Sequence, residues 1–334
     1  LSKIMTSKVY LSKTIEPILN LIPTNLPPNL AIKTHFGEKG CTTYPNPEII
    51  KKVYNHLINQ SHKPTLIETN VLYQGSRTNT TDHLQTAKEH GFDFAPIDIL
   101  DNDNQFIEVP IDNSDKNAKL AKNLPNYNTI IFISHFTGHI IAGFGAAIKN
   151  ISMRLASRGG KLDMHTTAIL TVNPEQCTGC ENCLNKCNFN AITMKNNKAE
   201  INTKTCIGCA ACTAVCPTSA IRWQGSSSEE LQKKIVQYAQ AAKKIIPNMI
   251  FINILENITL ECDCVNYPQK IFTKDIGILY STDPVAIDKA SLDLVNKQSQ
   301  GGFHKIKQTN NSPQISYAEK MGLGTQNYTL TKLQ

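Results

Sequence analysis

No apolar run reaches the length of about 18 residues that a membrane-spanning helix needs, so none is expected. The opening LSKIMTSKVYLSKTIEPILNLIP has neither an apolar core of about 7–15 residues nor a small-residue cleavage site. A secretory segment is therefore not read here, and the expected compartment is the cytoplasm. Aromatic residues are only 7%, with a single tryptophan, and arginine supplies four of the 34 basic residues. With no basic run interleaved with aromatics, nucleic acid is an unfavoured partner. Charged residues make up a modest 18% beside 40% hydrophobic ones, which excludes a disordered chain. At 334 residues there is room for more than one core.

What the chain has in excess is cysteine. Eight of its 11 cysteines fall between Cys177 and Cys216. They form two matching strings, Cys177-x-x-Cys180-x-x-Cys183-x-x-x-Cys187 and Cys206-x-x-Cys209-x-x-Cys212-x-x-x-Cys216, the second followed by Pro217. A disulfide framework fits a short secreted chain, not one dense block in a long cytoplasmic one. A zinc ribbon needs two C-x-x-C pairs, and this block exceeds that. Three soft thiolates on a tight loop suit three corners of a cubane, with the fourth ligand arriving from elsewhere.

This block of about 50 residues resembles bacterial-type two-[4Fe–4S] ferredoxin domains. Gly179 and Gly208 stand where the loops bend, and Ala191-Ile192 and Ala220-Ile221 repeat after the fourth cysteines. Asn188 departs from the family's proline. The resemblance implies two clusters with crossed ligands. One would be held by Cys177, Cys180, Cys183 and Cys216, the other by Cys206, Cys209, Cys212 and Cys187.

On either side, short apolar runs alternate with helix-like stretches. Strands are expected at 29–34, 64–68, 94–99, 129–134, 249–255 and 276–280. Helices are expected at 47–59, from Thr80 or Thr81 to Gly91, at 145–156 and over the stretch after GSSSEE (225–230). A last helix is read from Ser291, followed by irregular polar chain. The pattern predicts an α/β domain with a mainly parallel sheet, residues 1–170 and 226–334, split by an inserted α+β ferredoxin-like two-cluster module at 171–225.

The flanking sequence resembles the DUF362 family, a domain of unknown function. The segments that carry the likeness are HFGEKG (35–40), ETN (68–70), GSR (75–77), GFGAAIKN (143–150), MRLASRGGK (153–161) and DPVAID (283–288). Several follow a strand, and open α/β sheets bind ligands beyond the carboxyl ends of their strands. Lys33, His35, Glu38, Asn70, Arg77, His135, His139, Lys149 and Asp283 are thus expected to meet in one polar crevice. Lys33, His35, Arg77, His135, Lys149 and Asp283 are the catalytic candidates. Lys33, Arg77, Lys149 and Arg158 would draw a carboxylate or phosphate.

Cys262 and Cys264 flank Asp263 and would point to one side of an extended chain, making them candidates for a third metal ion, Zn or Fe. Cys41, His35, His139 and Asp263 are candidates to complete it. The functional expectation is an iron–sulfur electron-transfer protein, a redox enzyme or its electron-supplying component, acting at the α/β crevice. Its partner would be a redox protein or an anionic small molecule. The alternative is a ligand- or metal-binding protein whose clusters are structural or redox-sensing. Charge fits the cluster reading: 34 − 27 gives +7, and two oxidised clusters of about −2 each would lower it to about +3.

Overall fold

The computed structural model describes residues 6–72, 75–102, 105–165, 170–187, 190–206, 212, 216–223, 227–308 and 312–334. Cys209, Gly208, Asn188 and residues 225–226 of the expected linker lie outside them. Strands run in chain order Ser7–Ser12 (β1), Leu30–Lys33 (β2), Thr65–Glu68 (β3), Ile97–Ile99 (β4), Phe106–Pro110 (β5), Asn117–Ala121 (β6), Thr129–His135 (β7), Thr137–His139 (β8) and Gly143–Gly145 (β9). Then come Leu170–Val172 (β10), Ile192–Lys195 (β11), Lys198–Ile201 (β12), Ile221–Trp223 (β13), Asn248–Leu255 (β14), Gly277–Ser281 (β15) and Tyr328–Lys332 (β16).

Eight of these build one sheet in the order β16-β1-β15-β14-β7-β2-β3-β4. All neighbours pair in parallel except β15, which runs antiparallel to both β1 and β14. The mainly parallel sheet read from the sequence is present. β7 reads TIIFISH and is buried throughout, as expected of a strand covered on both faces. Alternate residues serve opposite cores. Ala31, Ile130, Phe132, Phe251 and Leu279 join one; Ile32, Ile131, Ile133, Ile252 and Ile278 join the other.

Pro47–Asn59 forms a helix as expected, with Asn46 capping it and Ile50, Val53 and Leu57 on the second core. The helix Thr80–Glu89 is capped one residue earlier than expected, by Asn79, whose side chain accepts from Asp82 N. The helix expected over 145–156 is shorter, Ala147–Ser152, and a second one, Arg158–His165, follows beyond that stretch. Ser227–Ile245 is helical.

Near the C-terminus the reading from Ser291 needs correcting. The helix is Pro284–Gln298, because Asp283 caps it by accepting from Val285 N and Ala286 N. The chain beyond it is ordered as helices Gly302–Lys307 and Pro313–Lys320 and as β16. β16 is an edge strand with mostly exposed side chains, so it lacks the apolar alternation that marks a strand in sequence.

The cysteine-rich stretch opens and closes on one small antiparallel sheet, in which Leu170 pairs with Trp223. Inside it lie the helix Asn182–Lys186 and the hairpin of β11 and β12. Its two halves repeat each other. Asn173 N donates to Ala220 O and Asn202 N to Ala191 O, both at 2.8 Å, and Cys177 N and Cys206 N donate to Asn173 O and Asn202 O. Each second partner lies 29 positions from its counterpart, the spacing of the two cysteine strings.

Candidate functional site

The parallel strands β2, β3, β4, β7 and β14 deliver their carboxyl ends to one rim. Lys33 lies opposite Phe132 and Ile67, and Ile254 opposite His135. Two loops close over this rim. The loop after β14 is pinned where Gly138 N donates to Thr259 O at 2.8 Å, and a Cβ on Gly138 would stand 2.2 Å from Leu260 O. The loop after β2 meets it where Glu38 N donates to Asp263 O. There Gly40, at φ +92, passes so close to Asn266 that a side chain would clash with its carbonyl.

Beneath these loops is a buried cluster. Asp263 Oδ2 lies 2.7 Å from His135 Nδ1 and 3.1 Å from His35 Nε2. Its other oxygen, Oδ1, accepts from Thr43 Oγ1 at 3.0 Å and stands 4.0 Å from Cys41 Sγ. His135 Nε2 donates to Glu256 O at 2.7 Å. Gly37 N donates to His35 Nδ1 at 3.2 Å, while His35 Nε2, despite its nearness to Asp263, has no hydrogen-bond partner. Lys149, from the short helix after β9, reaches Cys262 Sγ at 3.8 Å.

Burial and pairing set the charges. Burial lowers His35 well below the ordinary histidine range. For His135 burial acts the same way, but the Asp263 charge and hydrogen bond outweigh it and raise the ring above its usual value. Burial would raise Asp263, yet His135 and His35 hold its carboxyl well below the usual range. A hydrogen bond from Cys264 and the nearby Lys149 charge pull Cys262 well below an ordinary thiol, against burial. The bond to Cys262, together with burial, pushes Cys264 well above one.

Lys33, His35, Glu38, Arg77, His135 and Lys149 are thus all buried at this rim. The cations are mostly spoken for: Lys33 Nζ sits 2.6 Å from Glu68 Oε1, and Arg77 Nε 3.3 Å from Glu38 Oε2. Lys33 and Arg77, expected to draw an anion, thus each face a carboxylate of the chain itself. Arg158 is half-buried against Leu72 O. Asn70 bonds Thr80, His83 and Asp101, and the His139 ring accepts from Ile141 N and Ala142 N. These interactions hold loops.

Asp283 is elsewhere. It follows β15, the one antiparallel strand, so it lies at the opposite rim. There it caps its helix and accepts from Ser7 Oγ and Thr325 N. Strand direction leaves no trace in an apolar run, which is why sequence placed it with the others. Sequence reading also missed Lys161, buried with Nζ on Thr69 Oγ1 and Ala156 O, and Asp101, which accepts from Asn70 N. Lys161 stood in the motif MRLASRGGK, but nothing in its spacing marks it as buried. Cys262 and Cys264 do lie at the rim, with Asp263 between them turned toward the histidines.

The cysteine-rich stretch has its own small cavity, lined by Cys177, Cys180, Cys183 and Cys216 among others. Residues 30–293 match the family model described as domain of unknown function (DUF362). The chain belongs to this family. The match spans both flanking stretches and the cysteine-rich segment between them. No curated protein matches the sequence. Among solved structures, the lactate racemase apoprotein from Thermoanaerobacterium thermosaccharolyticum is similar at 12% identity and TM-score 0.36, over 76% of this chain and 51% of that one. A Thermotoga maritima structural-genomics target is similar at 9% identity and TM-score 0.43, over 85% and 58%. The chain therefore spans only a little over half the length of either. No helix among the described residues is long and apolar enough to cross a membrane.

Proposed function

We propose that this DUF362 protein is an iron–sulfur electron-transfer protein. Two [4Fe–4S] clusters would sit in the 170–223 module and exchange electrons with the buried rim of the α/β domain. The observation that carries the reading is the cavity walled by Cys177, Cys180, Cys183 and Cys216. Those four are the crossed ligand set that the cysteine strings imply for one cluster. The donor chemistry fits a cubane. The backbone N–H groups of Ala199 and Ala191 lie 3.5 and 3.4 Å from the sulfurs of Cys177 and Cys187. Such N–H···S contacts stabilise sulfur that carries charge. The described cysteines form no disulfide.

When bound, each cluster would take up one electron at a time. The chain's own residues supply the coupling. Lys186, next to Cys187, donates to Asn266 Oδ1 at 3.2 Å, two residues beyond Cys264. Cys183 and Cys212 pack in the same apolar core as Phe136, Ile141 and Leu231. The cysteine module thus abuts the loop that covers the rim. A redox protein or small molecule would be the other partner.

Anaerobic iron and sulfide analysis tests this. About eight of each per chain, with an EPR signal on dithionite reduction, is the expected result for two cubanes. Zinc in place of iron would refute it.

A further inference from the structure

We infer that Asp263, His135 and His35 bind one divalent transition-metal ion, zinc or ferrous iron, at a site distinct from the cysteine cavity. Nothing in the cluster reading requires this site, and the inference stands apart from it.

The first argument is convergence. One ligand atom from each of the three residues lies within 4.8 Å of the other two. All three side chains are buried, drawn from the loop after β2, the end of β7 and the loop after β14. For bonds of about 2.0–2.1 Å, the edge between two ligands of a tetrahedral ion is about 3.3 Å. The observed contacts of 3.1 and 2.7 Å are close to that edge. An ion enters once the shorter one opens by roughly half an ångström.

The second argument is the outer layer. A ligating histidine usually gives its far N–H to a carbonyl or carboxylate, which fixes the inner nitrogen toward the metal. His135 does so, donating from Nε2 to Glu256 O and turning Nδ1 inward. Asp263 is oriented in the same manner, with Thr43 donating to its outer oxygen. His35 presents Nε2 to the same point without a hydrogen bond. On binding, its proton moves to Nδ1, and the 3.2 Å contact from Gly37 N is given up.

The third argument is donor type. Two imidazoles and one carboxylate, with the Cys41 thiol 4.0 Å from Asp263, suit zinc or ferrous iron rather than magnesium or calcium. A purely structural ion pair needs a single imidazole against Asp263. Here a second is buried beside it, its Nε2 3.1 Å from the same oxygen but outside hydrogen-bond geometry.

The probe is Co²⁺, added to anaerobic holoprotein after dialysis against EDTA. In the oxidised protein, a high-spin cobalt EPR signal and metal analysis report the site separately from the clusters. The expected result is about one cobalt per chain, with affinity at least about ten-fold weaker in Asp263→Asn and His135→Gln. Thr43→Val, which removes only the outer hydroxyl, weakens binding while leaving the melting temperature near wild type. Metal analysis of untreated protein then distinguishes zinc from iron. No cobalt bound by wild type, or equal affinity in Asp263→Asn, His135→Gln and Thr43→Val, overturns the inference. Cobalt bound by protein that shows no cluster signal, and weakened by Asp263→Asn, supports this site and refutes the iron–sulfur reading alone.

Discussion

Asp288 Oδ1 accepts the backbone N–H of Ala147 at 2.8 Å, tying the middle of one helix to the start of another. Its second oxygen takes Ile148 N at 2.9 Å, and Asn253 Nδ2 completes the set. The short helix so anchored carries Lys149 to Cys262. Asp288→Ala leaves three buried donors without an acceptor and should cost about 3 kcal/mol of stability. Asp288→Asn keeps one acceptor oxygen and should cost less. Urea denaturation of the three proteins checks the order.

Lys33 and Glu68 form a buried ion pair, and Glu68 also accepts from Thr69 N. Lys33→Met strands a carboxylate in the interior and should destabilise by about 3–5 kcal/mol. The double change Lys33→Met/Glu68→Leu should recover most of that loss. A double variant no more stable than Lys33→Met would show that the charge pair is not what sets the cost.

Burial lowers Lys161 from 10.5 to about 8 in the folded protein. Between those values the unfolded chain holds a proton that the folded chain has released, so stability rises with pH across that window. Below about pH 8 the lysine is charged in both states and the penalty of burying it is present in full. Relative to Lys161→Met, wild type should therefore gain about 3 kcal/mol from pH 8 to 10.5. Melting temperatures of both proteins at pH 7.5 and pH 10 give the comparison. A gap that does not change with pH would count against the shift.

The crossed ligand assignment makes a separate demand. Cys216→Ser and Cys180→Ser should alter the same cluster signal, since both residues line one cavity. Cys187→Ser should alter the other, although Cys187 is nearer to Cys180 in sequence. EPR of the reduced variants decides it. If Cys187→Ser and Cys180→Ser give the same altered signal, the ligands are not crossed.

How far the sequence could be read depends on the kind of information each signal encodes. β7 and Pro47–Asn59 were legible because one carries an unbroken apolar run and the other a clear 3.6-residue face. β1 was missed: only Val9, Leu11 and Ser12 of its six residues are buried, too little alternation to mark a strand. Asp283 was grouped with His35 because an apolar run says nothing of its direction. Asp263 was seen as a neighbour of two cysteines. Its approach to His135 spans 128 positions and its approach to Thr43 spans 220, distances that local patterns do not carry. The two cysteine strings stand out in the sequence because their spacing is itself a local pattern.

The pairing of Leu170 with Trp223 has one further consequence. The backbone enters and leaves the cysteine-rich module on adjacent strands, about 5 Å apart. Bridging those two positions with a short turn would excise the whole segment without stretching the sheet that flanks it. A chain shortened in that way asks directly whether the α/β sheet folds without the residues that this pairing encloses.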